Sequence, residues 1–139
     1  MIQRAINRAL AVAGVVLFVT WTNAIYAAEL AWKIDQQLAQ RLVAQAYRNG
    51  MDPKWFDFDP GMSHRFFEFD GLNQSSNGSF GFFAVNPWTG DVWALWGCHK
   101  LSTPALRESQ AEIRRRFNHE ELKHYARLSR LKPDCIVEN

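Results

Sequence analysis

Acidic side chains crowd one stretch of this sequence, and they are its best candidates for acid–base chemistry. Between residues 52 and 70 the stretch holds Asp52, Asp57, Asp59, Glu68 and Asp70. Two carboxylates on opposite walls of a cleft can hydrolyse a glycosidic bond. Because Asp57 and Asp59 are two residues apart, they would share one face of a strand. The same spacing is typical of an acidic loop edge, so an envelope hydrolase that cleaves peptidoglycan or another glycan with the last four acids is an alternative hypothesis.

Two histidines near the C-terminus come close to the pattern of a zinc site but miss its spacing. His119 and His124 bound the segment His-Glu-Glu-Leu-Lys-His, five positions apart. A zinc protease needs histidines four apart on a helix, whereas five positions turn the second by about 140° from the first. A calcium loop is disfavoured too, because residues 57–61 lack the later acidic ligands. We therefore predict no metal site. No nucleotide-binding or nucleophile motif is present, so we predict no cofactor.

Three consecutive arginines, Arg114, Arg115 and Arg116, form the densest positive charge of the chain. On a helix they point in three directions, so they make a basic collar rather than one anion pocket. The stretch around them, residues 100–132, holds nine basic and four acidic side chains. The collar is interpreted either as a solvated helix face or as a contact for an acidic partner or an anionic surface.

A tryptophan in a turn is the best candidate for a binding anchor. Other aromatic side chains are expected in the core, namely Phe66, Phe69, Phe80 and Phe82. Trp88 differs because it lies within a tight turn, where Pro87 and Gly90 already meet the backbone requirements. An exposed tryptophan at such a tip suits a protein-binding anchor or a sugar-stacking platform, although the ring could equally fold back on the sheet. The predicted binding residues are Trp88 and, as secondary electrostatic contacts, Arg114 and Arg116.

Cys98 and Cys135 are the two cysteines of the chain. An even count in an exported domain predicts one disulfide between them, which would close a loop of about 38 residues. The alternative is a pair of buried free thiols. A catalytic thiol is disfavoured, because His99 follows Cys98 directly and neighbours on a strand point apart.

Residues 1–27 have the pattern of an export signal. Two arginines and no acid precede an unbroken apolar run over residues 9–19. We place the cleavage site after Ala27, with cleavage after Ala24 as a second option. The alternative is an uncleaved anchor over residues 9–28. In both cases the body of the protein lies outside the cytoplasm, either periplasmic or secreted.

The composition predicts one globular domain over residues 28–139. Hydrophobic residues make up 47% of the 139, and charged residues 22%, which excludes a disordered chain. The net charge of +2 comes from Arg4 and Arg8, so the predicted mature part has 14 basic and 14 acidic side chains. A neutral body disfavours a nucleic-acid partner, because such binding depends on neutralising phosphates.

The order of elements predicts an α+β fold. Apolar side chains at Ile34, Leu38 and Leu42 predict a helix that ends at Asn49-Gly50. Strands are then predicted over residues 64–70, 80–86 and 91–96, with room for a short edge strand over residues 55–58. The economical arrangement packs the helix on a small antiparallel sheet.

Two consecutive helices, or one helix kinked near Asn118, are predicted for the last third. Thr103-Pro104 is an N-cap followed by proline at the first helical position. Glu121 lies three residues after Asn118 and completes a second cap. Their apolar stripes are Leu106, Ile113 and Phe117, and then Leu122, Tyr125 and Leu128.

Residues 85–93, Val-Asn-Pro-Trp-Thr-Gly-Asp-Val-Trp, resemble the strand–turn–strand signature of PepSY-like domains. In that signature a valine, an Asp or Asn, two variable residues and Thr-Gly-acid-Val form the hairpin. With the preceding helix, the resemblance covers residues 34–96. It implies an extracytoplasmic α+β module that binds a partner or regulates a protease and has no catalytic machinery.

A binding module is the favoured function, because the candidate residues do not assemble into a complete catalytic constellation. We expect another exported protein as the partner, as for an inhibitor, an immunity-type factor or an envelope accessory protein. No membrane span is expected after signal cleavage. The carboxylate hydrolase remains the alternative.

Overall fold

The structure is a computed structural model that describes residues 30–47, 51–60 and 65–136. The predicted export signal lies outside the described residues and stays a prediction, and Asn49-Gly50 lies outside them too. No helix in the described ranges has the length and the apolar character that crossing a membrane would take.

The first helix, α1, spans Gln36–Ala46. It begins there because Asp35 caps it, with its Oδ1 accepting a hydrogen bond from the N–H of Leu38 at 2.8 Å. Ile34 therefore precedes the helix instead of opening it, although its side chain is buried. At the other end Tyr47 is already extended, so α1 is shorter than the apolar pattern predicts.

A five-stranded antiparallel sheet follows α1, with its strands side by side in chain order. They are β1 (Phe56–Asp59), β2 (Phe67–Leu72), β3 (Ser79–Val85), β4 (Val92–Ala94) and β5 (His99–Lys100). A helix that packs on an antiparallel sheet and is followed by two helices confirms the predicted α+β class.

The strand bounds are shifted by one to three residues from the prediction, and two of these shifts have a clear cause. β2 begins at Phe67 rather than at residue 64, because its pairing starts where Phe67 meets Val85 of β3. β4 ends at Ala94 rather than at residue 96, because Trp96 leaves the sheet and forms a parallel bridge with Ile136. The sequence pattern did not predict β5 or the 3₁₀ turn at Pro53–Trp55.

The two faces of the sheet have different coverings. Since side chains alternate along a strand, one set faces α1 and forms the main core. The buried members of this set are Phe56, Phe67, Phe69, Phe83, Val85 and Val92. On the opposite face a second cluster holds Phe66, Ala84, Trp93 and Leu95, with Phe82 partly buried against it. Phe66 and Phe69 are thus core residues as predicted, whereas Phe80 and Phe82 are only half-buried.

The last six described residues return to the sheet. We call residues 131–136 the C-terminal strap. Its Leu131 and Ile136 pack against the second cluster, and the Ile136 N–H donates to the Leu95 carbonyl oxygen at 3.3 Å. A disulfide joins Cys98 to Cys135 of the strap, with their Cα atoms 5.5 Å apart. The alternative of two free thiols is therefore wrong.

Two helices connect β5 to the strap, namely α2 (Pro104–Arg114) and α3 (His119–Leu128). Thr103 caps α2 ahead of Pro104, as predicted. Asn118 and Glu121 form the predicted capping box, in which each side chain accepts from the backbone N–H of the other. In α3 the structure buries Leu128 but leaves Leu122 40% exposed, so the predicted second stripe is only partly a core face.

Candidate functional site

The turn between β3 and β4 is packed into the centre of the molecule. Asn86 is fully buried, and its Oδ1 accepts hydrogen bonds from the N–H groups of Trp88 at 2.9 Å and Thr89 at 3.2 Å. Its Nδ2 donates to the Leu128 carbonyl oxygen of α3 at 2.8 Å. Gly90 has φ +72°, as predicted, and sits against Ile113 of α2. The turn therefore anchors helices and is not a hairpin tip in solvent.

This packing changes the view of Trp88. The sequence offered two alternatives, an exposed anchor or a ring folded back on the sheet. Of the six turn residues, Asn86, Pro87, Thr89 and Gly90 are buried, and Trp88 is partly exposed. The turn itself does not stand clear of the fold, because Leu42 of α1 packs against Gly90 and Leu128 of α3 is hydrogen-bonded to Asn86. A binding role for the exposed part of Trp88 stays a prediction.

A second tryptophan, Trp32, adjoins a residue that is hydrogen-bonded to the turn. The N–H of Lys33 donates to the Pro87 carbonyl oxygen at 2.9 Å, so one backbone hydrogen bond joins the peptide group after Trp32 to the one before Trp88. Trp32 is 53% exposed, the highest value for a large apolar side chain among the described residues. Its ring contacts Phe67 edge-on, with the centroids 5.0 Å apart. Sequence reasoning missed Trp32, because its position next to the turn depends on a hydrogen bond between distant segments of the chain.

Lys33 connects this aromatic pair to the arginine collar. Its Nζ pairs with Glu121 Oε1 at 2.6 Å, and both side chains are largely shielded from solvent. The same Nζ lies 5.1 Å from the centroid of the Phe117 ring. The Lys33 carbonyl oxygen accepts from Arg116 Nη1 at 2.7 Å. The hydrogen bond from the Lys33 ammonium to Glu121 is the first cause of the lowered pKa of Glu121, and the hydrogen bond from the Asn118 N–H is the second.

The collar was expected on a helix, but α2 ends at Arg114, so Arg115 caps the helix and Arg116 lies in the turn that follows. Arg114 stacks on Tyr125, with the guanidinium carbon 4.9 Å from the ring centroid. Tyr125 in turn meets Phe117 edge-on at 5.2 Å, next to the Lys33 ammonium. Arg115 instead pairs with Glu112 at 2.9 Å, where both side chains are about 70% exposed. Three cations of the region are therefore held close together around Phe117, and Arg115 points elsewhere.

We call the resulting patch the Trp–Arg surface; it consists of Trp32, Lys33, Trp88, Arg114 and Arg116. Every cationic group in it is oriented by a specific contact, while Trp32 remains open to solvent. An open groove of about 590 Å³ between α1 and α2 adjoins it at Arg116, with Leu38 and Ile113 in its lining. Such an arrangement offers an aromatic anchor and preset donors for carboxylates.

Four of the five acids form a second cluster on the sheet. Pairing places Asp57 opposite Asp70 and Asp59 opposite Glu68 on adjacent strands. These four, which we call the acid patch, lie on the face turned away from α1. Asp52 does not belong to it, because it caps the 3₁₀ turn and pairs with Lys54.

Glu68 is the most perturbed member of the acid patch. It is only 2% exposed, and burial raises its pKa to about 7, helped by the negative charges of Asp59 and of Asp134 in the C-terminal strap. A carboxyl group with this pKa suits general acid catalysis near neutral pH. A glycosidic oxygen would have to reach it to be protonated, however, and Glu68 is shielded from solvent.

The remaining chemical candidates are not brought together. Within the described ranges, no three His, Cys, Asp or Glu side chains converge in a way that could hold a metal ion. His119 begins α3 and is exposed, while His124 lies half-buried further along that helix. Both cysteines are joined in the disulfide, so neither is a nucleophile.

No protein-family model matches the chain, and no curated protein matches its sequence. Among solved structures it is similar to a chain described as a type VI secretion system effector–immunity complex from Pseudomonas protegens. That similarity has 17% sequence identity and a TM-score of 0.43, and it covers 68% of this chain and 88% of the other. The TM-score is below the level at which two chains share a fold, so the Trp–Arg surface alone supports the function proposed below.

Proposed function

We propose that this chain is an exported protein-binding module that holds a partner protein on the Trp–Arg surface. The observation that carries the proposal is Trp32, which exposes 53% of its surface next to Lys33, and the backbone of Lys33 is bonded both to the turn that holds Trp88 and to the guanidinium of Arg116. Tryptophan and arginine are the residues most enriched at the energetic centres of protein interfaces.

The charges of the surface indicate an acidic patch on the partner. Arg114 is held by its stack on Tyr125 and Arg116 by its bond to the Lys33 carbonyl oxygen, so little side-chain entropy is lost when a carboxylate binds. Both guanidinium groups keep donors that these contacts do not use. Complementary charge of this kind mainly speeds association and selects the partner.

Export agrees with the disulfide, because disulfides persist in oxidising compartments. The partner is then another exported protein, and the module acts as an inhibitor, an immunity-type factor or an envelope accessory protein. The predicted signal over residues 1–27 would deliver it there. Its cleavage and the resemblance to PepSY-like domains remain predictions.

A photocrosslinking residue in place of Trp32 tests the proposal and identifies the partner. The variant is exposed to light in envelope extract, and adducts are identified by mass spectrometry. The matched control carries the same residue at Trp96, which is 39% exposed next to the C-terminal strap. From position 32 we expect one dominant adduct, formed with an acidic protein. The same adduct should be missing when the crosslinking residue is at position 96. Equal adducts from both positions, or adducts from position 96 alone, would contradict the proposal.

The hydrolase hypothesis keeps one supporting observation, the Glu68 carboxyl with a pKa near neutrality opposite Asp59. It is tested by changing each acid of the acid patch to its amide and measuring release of soluble fragments from peptidoglycan. An enzyme would lose turnover in at least one variant. A binding module shows no turnover to lose, and it crosslinks equally well in all four variants.

A further inference from the structure

The C-terminal strap lies on the face of the sheet that is turned away from α1. The second cluster on this face is buried, and the strap residues packed against it are Leu131 and Ile136. Pro133 between them is buried as well. The main core lies on the other face and includes no residue of the strap. Movement of the strap therefore changes the exposure of the second cluster and leaves the main core intact.

The two ends of the strap are held by different kinds of contact. Before its start, α3 is fixed to the rest of the fold, because Asn86 Nδ2 donates to the Leu128 carbonyl oxygen at 2.8 Å. At its end, the strap is fixed by the Cys98–Cys135 disulfide and by an isolated backbone bridge at Ile136. With the disulfide open, that bridge and two apolar side chains are left to hold the strap, while α3 stays in place.

The closed strap leaves two unfavourable features in the oxidised protein. Cys98 has φ +48°, a backbone conformation that an L residue rarely adopts, and it follows Gly97 at φ +78°. The Trp93 Nε1–H group in the second cluster is buried and has no hydrogen-bond partner among the described residues. Opening of the strap lets Cys98 relax and lets water reach the Trp93 ring. Both features therefore favour release after the covalent bond is broken.

Cys98 is accessible to a reducing agent. It is exposed, whereas Cys135 is half-buried in the strap. A disulfide is opened by a thiolate that attacks one of its two sulfur atoms, so access decides which sulfur reacts. Strained or exposed disulfides are also the ones that are reduced most easily. The exposure and the backbone conformation of Cys98 therefore fit an exchangeable disulfide better than a permanent one.

We propose that Cys98–Cys135 is a site of thiol–disulfide exchange, at which a protein dithiol releases the strap and uncovers the second cluster. One thiolate of the dithiol attacks Cys98 Sγ and forms a mixed disulfide, while Cys135 leaves as a thiolate and takes up a proton. The second thiolate of the dithiol then attacks the sulfur of the first, and Cys98 leaves and is protonated. The dithiol is thereby oxidised to a disulfide, and its two electrons and two protons pass to the two cysteines.

The released strap exposes an apolar face that the oxidised protein hides. Phe66, Trp93 and Leu95 lie in this face, and each is at most 7% exposed while the strap is closed. The strap thus acts as a cover that a redox reaction opens. This exchange does not depend on the function proposed above, because the Trp–Arg surface contains no residue of the strap or of the second cluster.

Hydrogen exchange of the oxidised and the reduced protein, followed by mass spectrometry, tests this release. Dithiothreitol is added without denaturant, and in a separate aliquot the thiols are alkylated and counted by intact mass. We expect both cysteines to be reduced while the protein stays folded. The strap, whose Ile136 N–H is bonded to the Leu95 carbonyl oxygen, should then exchange at least about tenfold faster. The amides of α1 and β3 are the internal control and should exchange at an unchanged rate.

Two further experiments locate the exchange. The variant Cys98→Ser/Cys135→Ser should show the fast exchange of the strap without reductant and should not respond to dithiothreitol; if it does not fold, the reduced wild type still carries the test. A thioredoxin whose second active-site cysteine is replaced by serine should be trapped as a mixed disulfide on Cys98, located by peptide mapping. A disulfide that is reduced only in denaturant, or a strap that stays protected after reduction, would overturn the proposal. Equal acceleration in β3 would overturn it in favour of a bond that merely stabilises the whole fold, and adducts on Cys135 would overturn the order of attack.

Discussion

The Trp–Arg surface and the acid patch differ in which side chains are paired within the molecule and which are left exposed. In the first, Lys33, Arg114 and Arg116 each have a partner inside the molecule, and the apolar group, Trp32, is left exposed. In the second, apolar groups are covered and carboxylates face one another, one of them buried. The first is preorganised, so a partner meets little entropic cost. In the second, the carboxylates repel one another, and this repulsion depends on pH because it requires them to be ionised.

The largest expected effect comes from breaking the support of the Trp–Arg surface at Gly90. At φ +72° an L side chain is strained, and a Cβ would lie 2.6 Å from Ile113 Cδ1. Gly90→Val should therefore lower the free energy of unfolding by about 4 kcal/mol, measured by thermal or urea denaturation.

The matched control is Gly78→Val in the exposed loop between β2 and β3. A Cβ there would meet only Ser76 Oγ at 3.4 Å, and Gly78 has no positive φ. We expect a change below about 1 kcal/mol. Equal losses from both variants would show that the turn is not the packed centre that the contacts of Asn86 indicate.

The next effect belongs to the acid patch and appears as pH dependence. The pKa of Glu68 is about 7 in the folded state against 4.5 for an ordinary glutamate, so the unfolded chain releases this proton first. Its contribution to stability is therefore complete below pH 4.5, falls as the pH rises to 7, and is constant above. The loss amounts to about 3 kcal/mol at most.

Glu68→Gln isolates that contribution, because the amide cannot ionise. We expect the variant to be more stable than the wild type at pH 8 and nearly equal to it at pH 4, in denaturation curves at both values. An identical pH dependence of wild type and variant would mean that another group titrates. Asp57→Asn, at the exposed end of the patch, is the control and should leave most of the dependence in place.

How far the sequence predicted these two regions depends on the range of the interactions. Local signals were sufficient to predict the caps of α2 and α3, the turn at Gly90 and which segments form strands. Each of these features depends on a few neighbouring residues. The registers of β1 and β2 were not predictable from periodicity, because they depend on where two distant segments pair. Hence four acids were found as candidates, but not which of them face each other.

The same reason explains why the sequence left two alternatives open at the turn. Pro87 and Gly90 satisfied the local rules for a hairpin, and those rules do not say whether helices pack against it. Asn86 decides this by bonding to Leu128, forty-two residues away. Trp32 was missed because its importance comes from the bond between Lys33 and Pro87, which no spacing along the chain reveals.

A smaller effect separates the two tryptophans of the Trp–Arg surface. Trp32→Ala should weaken binding of the crosslinked partner by about 2 kcal/mol, with a melting temperature close to that of the wild type. Trp88→Ala should lower both affinity and melting temperature, since Trp88 is partly buried within the packed turn. Calorimetry and binding assays on both variants decide this. Unchanged affinity in a fully folded Trp32→Ala protein would remove Trp32 from the interface.

The smallest effect concerns the three arginines of the collar. Arg114 and Arg116 are held beside Lys33, whereas Arg115 pairs with Glu112 in solvent. Charges at the rim of an interface mainly change the association rate, so Arg114→Gln or Arg116→Gln should slow association about threefold and weaken its salt dependence. Arg115→Gln is the matched control and should leave both unchanged, because a pair this exposed contributes little. Stopped-flow association at two salt concentrations distinguishes them, and three equal effects would show that the collar acts only through its net charge.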